Sequence, residues 1–186
     1  MTGWELPTSA VIGGKEYGLN ADFRDVLDVI DQLNGEEKEQ VRLYVALALF
    51  YEEFGVMPVT SWGEAVQYMM KFISGGEPED GSPAPKLLDW EQDQRMIVAD
   101  VNKVAGCEIR ALPFVHWWTF LSWFSGIGEG QLSAVVGIRS KLRKGKKLDD
   151  WEKEYYRQHK AHVDLKRRYT AEELAEQERL KKLLGE

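Results

Sequence analysis

The sequence predicts a mainly α protein: a compact multi-helix domain that opens on a small N-terminal β-hairpin and ends in a charged helical C-terminal extension. Three observations predict it. Apolar residues recur at helical spacing through most of the chain. One pair of short segments, flanking Gly13-Gly14, carries a hairpin signal. Residues 114–124, FVHWWTFLSWF, put three Trp, three Phe, a Leu and a Val into eleven positions, which on a helix leaves almost no polar face.

Taken in order, SAVIGGKEYGL (9–19) folds as the hairpin, with the two glycines supplying its turn. Asn20 offers an N-cap, and DFRDVLDVIDQL then sets Phe23, Val26, Leu27, Ile30 and Leu33 on one helical face until Asn34-Gly35 stops it. EEKEQVRLYVALALFYEEF begins with acids, as a helix N-terminus favours, and its middle is apolar nearly all round, so it is expected to be the central core helix. SWGEAVQYMMKFI makes a third helix, with Ser61 and Glu64 in capping-box register. A fourth runs from about Leu87 to Ala105, burying Trp90, Ile97, Val101 and Val104 and ending at Gly106. Pro113 suits the first turn of the aromatic helix, where its missing N–H costs nothing. QLSAVVGIRSKLRKG is a short apolar element whose periodicity settles neither helix nor strand. LDDWEKEYYRQHKAHVDL reads as a charged helix making contact through Leu148, Trp151 and Tyr155. TAEELAEQERLKKLLGE closes the chain, with Thr170 and Glu173 as a second capping box and Gly185 as a stop.

The organisation expected is residues 1–74 as hairpin plus helices, 75–86 as an exposed loop or linker, 87–147 as the aromatic-rich part of the same domain, and 148–186 as the charged extension. The loop assignment rests on GGEPEDGSPAP (75–85), whose prolines, glycines and acids leave nothing to bury.

Charge narrows the function classes. The formal net charge is -7, which opposes general affinity for phosphate backbones. Its distribution is uneven: residues 1–138 hold nine Lys and Arg against twenty-one Asp and Glu, whereas 139–186 hold fifteen against ten. An acidic body with a basic tail is often an interaction design. The single cysteine, Cys107, has no internal partner for a disulfide, in keeping with a reducing compartment. MTGWELPTSA lacks the basic-then-apolar order of a signal peptide, and the apolar runs fall short of the roughly 20 residues that span a bilayer. No membrane association is expected.

The candidate chemistry is sparse, and no cofactor, metal or catalytic residue is expected. His159 and His162 lie three apart, but only Glu152, Glu154 and Asp164 stand near, so a solvated helix face is the expectation rather than zinc. GIGEGQ at 126–131 lacks both the spacing and the preceding strand of a dinucleotide loop. No GxSxG, Walker A or HExxH string occurs. The basic run RSKLRKGKK (139–147), with Trp151, Tyr155 and Tyr156 nearby for stacking, is the best nucleic-acid candidate. Acids immediately downstream make an acidic protein partner, including another copy of this chain, at least as good a reading.

Each aromatic in the 114–124 stretch carries roughly 150–250 Å² of buriable surface, so the stretch demands cover from several sides. Core burial is the ordinary reading for any one ring, and an interface anchor the sharper one. The protein-binding candidates are Trp117, Trp118, Phe120, Trp123 and Phe124, with Arg139, Trp151, Leu180 and Leu183 beyond them.

The order of these features resembles the small proteins encoded beside the tape measure gene in long-tailed bacteriophages and prophages, regarded as tail assembly chaperones or their companions. The likeness is carried by LPTSAVIGGKEYGLNADFRDVLDVI, with Asn20, Asp22, Phe23 and Arg24 at the helix start, and by Asp93 ahead of the helix containing Ile97. Gly106 and Ile109 before His116-Trp117-Trp118-x-Phe120, and AVVGIRSK with Arg139, complete it. It runs from about residue 5 to 165; VADVNKV is less aromatic than its counterpart, and the helix after 170 has none. The resemblance implies a non-enzymatic protein in the cytoplasm of an infected or lysogenic bacterium, absent from the mature virion. Its partner would be the tape measure protein, and with it the tail tube protein and other copies of itself. The alternative is a nucleic-acid-binding phage regulator using 139–147.

Overall fold

Gly13 and Gly14, with φ of 58° and 80°, fold Ser9–Ile12 (β1) back on Lys15–Gly18 (β2). Ala10 opposes Tyr17 in the register, and both are buried together with Ile12, while Val11 points to solvent. Positive φ at both turn residues is the conformation whose twist matches a two-residue hairpin, and glycine adopts it without steric cost. The computed structural model describes residues 4–77, 86–166, 169 and 171–184. Among them it has eight α-helices and this two-stranded antiparallel sheet, the mainly α architecture that the sequence predicts. The chain divides into two units, Met1–Glu79 with Arg167–Glu186, and Asp80–Lys166.

In the first unit, Phe23–Leu33 (α1) packs on Glu39–Phe50 (α2), which packs on Trp62–Ile73 (α3). The cap of α1 is Asp22, whose carboxylate accepts from the Arg24 backbone N–H at 3.0 Å, and not Asn20. Asn20 instead donates its side-chain amide to the Leu49 carbonyl and its N–H to that of Phe50, joining the hairpin exit to the end of α2. Val29, absent from the expected stripe, is fully buried, and Leu27, Ile30 and Leu33 are half-buried. The second helix buries Ala46, Leu47 and Phe50 but leaves Val41, Tyr44 and Leu49 exposed, so it is a flank of the core rather than its centre.

Tyr51, directly after α2, is buried and donates its hydroxyl to the Ala65 carbonyl at 2.9 Å; burial pushes its phenol well above the ordinary range. Phe50, Tyr51 and Phe72 meet edge to face around this point, the arrangement that ring quadrupoles favour. The Ser61–Glu64 capping box does not form. Ser61 already has helical φ and ψ, so its side chain does not cap α3, and Glu64 accepts from the Gly13 N–H at 2.9 Å instead.

The second unit holds Gln94–Ala105 (α4), Trp117–Ser125 (α5), Gln131–Arg143 (α6) and Asp150–Val163 (α7). The fourth helix starts seven residues later than expected. Asp89 accepts from the N–H groups of Glu91 and Gln92 and so turns the chain there, a local competitor of helix. Met96, Ile97, Asp100 and Val101 face inward while Val104 is exposed, and Gly106 ends the helix with φ of 71°. His116, not Pro113, opens the aromatic helix: its Nδ1 accepts from the Trp118 N–H at 3.1 Å. The ambiguous apolar element is the 13-residue helix α6.

Two buried carboxylates start and tie these helices. Asp100, 2% exposed, accepts from the Leu132 N–H at 3.0 Å, so a side chain of α4 caps the N-terminus of α6. Glu152, 4% exposed, accepts from the Asp149 N–H and from Lys141, which also bonds Asp149. Glu152 and Val163 are what α7 buries, whereas Trp151 points to solvent at 57% exposure and Leu148 and Tyr155 are half-buried.

Ala171–Leu184 (α8) is the last helix, and Leu174, Leu180 and Leu183 on it are exposed. Thr170 and Gly185, expected as its cap and stop, lie outside the described residues, as does most of the 75–86 loop.

Candidate protein-binding surfaces

The aromatic stretch divides between core and rim. Trp117 and Phe120 are each 1% exposed and stack at 5.4 Å between centroids. Trp90, from the turn before α4, closes over Trp117, Phe120 and Phe124 at 5.9, 6.1 and 5.0 Å. Those contacts make Trp117 and Phe120 packing residues; neither ring offers free surface. Trp118, Trp123 and Phe124 are half-buried, and Phe114, ahead of α5, is 54% exposed, so the stretch presents parts of several rings rather than one face.

Arg139 corrects the expectation most sharply. Proposed as a binding residue, it is 6% exposed and all five of its N–H donors are used inside the second unit. Its Nη1 and Nη2 grip the two oxygens of Asp93 at 2.6 and 2.8 Å, a planar fork on a carboxylate that is itself fully buried. The remaining donors reach the carbonyls of Leu87 (3.0 Å), His162 (2.9 Å) and Val163 (2.7 Å). One guanidinium thereby binds the turn before α4, the start of α4 and the end of α7 to α6. Asp93 also accepts from the Asp89 N–H at 3.0 Å, which extends the network into the turn.

The basic run is thinner than it reads. Of its six cations, Arg139 is held by Asp93 and Lys141 by Asp149 and Glu152, whose carboxylates raise the Lys141 pKa. Arg143, Lys144, Lys146 and Lys147 are exposed and make no ion pair among the described residues. His159 and His162 stack at 6.3 Å between ring centroids where α7 leaves helical geometry, His159 having φ of -122°. No group of three or more metal-ligating side chains occurs among the described residues.

Sequence reasoning missed the exposed apolar side chains of the first unit. Val41 and Tyr44 on α2 are 44% and 51% exposed, and Val56 and Val59, around Pro58, are 65% and 69%. The all-round apolar middle of α2 was a signal for burial, and only tertiary packing decides which side stays open. The Val56 and Val59 signal was legible, since Gly55 and Pro58 mark a turn there and turn residues stay at the surface. On α8, Leu180 and Leu183 are exposed. No described helix is long and apolar enough to cross a membrane.

Fold and surface together define a class: a small, mainly helical protein of two units, one organised around a buried arginine fork, with apolar side chains exposed on several helices. The family model described as Bacteriophage Gp15 protein matches residues 4–165, and the chain belongs to that family. The match ends before α8 begins. No curated protein and no solved structure matches the chain.

Proposed function

We propose that this chain is a non-enzymatic tail assembly chaperone, or a companion of one, that binds the tape measure protein while the tail tube assembles. Its membership of a bacteriophage family supports the setting. The observation that carries the reading is the exposed apolar surface: Val41, Tyr44 and Leu49 on α2, and Val56 and Val59 beyond it. Isolated exposed apolar residues are ordinary, but several on one helix and its following loop fit an amphipathic helix laid along them. A tape measure protein is long and rich in helix, so many copies of a small binder would hold it soluble. Binding of this kind is reversible, and displacement by tube subunits is sufficient for release without nucleotide hydrolysis. The site of action is then the host cytoplasm, with the chaperone left out of the finished virion.

Co-expression with the tape measure protein of the same phage tests this. A soluble complex that forms only when this chain is present supports the reading; a tape measure protein whose solubility and elution are unchanged by it sinks the reading. Tyr44→Ala with Val41→Ser removes two of these five exposed side chains and is expected to leave the helix content intact while weakening the complex. Phe120→Ala serves as the contrasting variant, since emptying that core position costs about 3–5 kcal/mol of stability.

A further inference from the structure

We propose that copies of this chain associate head to tail, the basic turn between α6 and α7 of one copy docking on the acidic opening of α2 in the next. The donor turn holds Arg143, Lys144, Lys146 and Lys147, all exposed and none in an ion pair among the described residues. Four cations occupy the five positions 143–147, and Gly145 among them turns the chain with φ of 62°. The acceptor is Glu36, Glu37 and Glu39, likewise exposed and without an ion pair among the described residues. Exposed apolar residues stand close to each patch in sequence: Leu142 and Trp151 flank the cations, and Val41 and Tyr44 follow the acids.

Helix dipoles explain part of this placement, because cations favour a C-terminus and acids an N-terminus. That effect fades within a turn, and Lys146 and Lys147 lie past the end of α6 while Glu36 and Glu37 precede the Lys38 cap of α2. A nucleic acid is the poorer occupant for the cationic turn. A phosphate backbone carries its charge on past the four cations, over a chain whose net charge is -7, whereas three acids in one short segment match the turn alone. A second copy brings the matching acids within the same protein.

Donor and acceptor are different patches, so in a head-to-tail arrangement a copy that has used one keeps the other for a further copy, which makes the contact heterologous. Such a contact closes into a ring or grows as an array, and it does not depend on the tape measure reading. Sedimentation velocity on the full chain tests it. At about 0.1 M salt the mass is expected to rise with concentration above the 21.3 kDa monomer, and at about 1 M salt, where the Debye length falls to roughly 3 Å, to return to it. The triple reversals Glu36→Lys, Glu37→Lys, Glu39→Lys and Lys144→Glu, Lys146→Glu, Lys147→Glu alter exposed side chains only. Each is expected to weaken self-association at least about tenfold, and an equimolar mixture of the two to restore it, because each then offers what the other lacks. A wild-type chain that stays monomeric at low salt overturns the proposal, as does association that survives either reversal or a mixture that stays dissociated. Retardation of a single-stranded oligonucleotide by a chain that remains monomeric replaces it with the nucleic-acid reading.

Discussion

Replacing Arg139 with Met probes the second unit at its tightest point. The side chain is 6% exposed and its partner Asp93 is 0% exposed, so the variant leaves a carboxylate in the interior with the Asp89 N–H still donating to it. The carbonyls of Leu87 and Val163 lose the guanidinium as well. Removing one member of a buried ion pair costs about 3–5 kcal/mol, chiefly because the other is left charged and uncompensated. In a unit spanning residues 80–166, even the lower figure corresponds to a fall of about 12 °C or more in Tm. Five of the seven tryptophans, at positions 90, 117, 118, 123 and 151, lie in this unit, so urea unfolding followed by tryptophan fluorescence reports mainly on it. Asp93→Leu is expected to cost a similar amount. The double variant, with neither charge, is expected to recover at least about 2 kcal/mol relative to the sum of the two single changes. A loss below about 1 kcal/mol for Arg139→Met, or strict additivity in the double variant, refutes the reasoning.

Gly130→Ala places a Cβ 2.5 Å from Asp100 Oδ2, forcing away the carboxylate that caps α6; a loss of about 1–3 kcal/mol in urea is expected, and an unchanged midpoint counts against that cap. Glu108 is exposed, and the hydrogen bonds from Arg110 lower its carboxyl from 4.5 to about 2. Its contribution to stability is therefore complete above about pH 4.5 and vanishes as pH falls through about 2; a carbon-13 titration should place its midpoint near 2 and Arg110→Ala should return it toward 4.5. Gly13→Ala combines a φ of 58° with a Cβ only 2.5 Å from Ser61 Oγ, and about 1–2 kcal/mol of destabilisation is expected by thermal melting, with none if the hairpin turn is free to rearrange.

Periodicity located α1, α2, α3, α5 and α7 and the hairpin because each depends on neighbours in sequence. What it misplaced depends on partners far along the chain. Asn20 and Ser61 have the chemistry of caps, but Asn20 is engaged by the end of α2, and the Glu64 that would complete the Ser61 box is claimed by Gly13. Leu87 looked helical until Asp89 took the N–H groups of Glu91 and Gln92 for a turn. Arg139 heads a basic run, so its charge argued for the surface, and only the fold reveals Asp93 waiting beneath it. Of the candidate docking residues, Trp151, Leu180 and Leu183 are exposed, whereas Trp117 and Phe120 are sealed in. Which side of an apolar helix faces outward is decided by its neighbours, a choice that composition does not encode.

The contact between the Gly13 N–H and Glu64 joins positions 51 residues apart, and Tyr68 on the same helix reaches the Ser9 carbonyl. A nascent chain leaving the ribosome therefore offers both strands long before α3 exists to receive them. Two strands alone are marginal in water. The hairpin is made first but settles late, and stalling synthesis short of α3 should leave it open to protease.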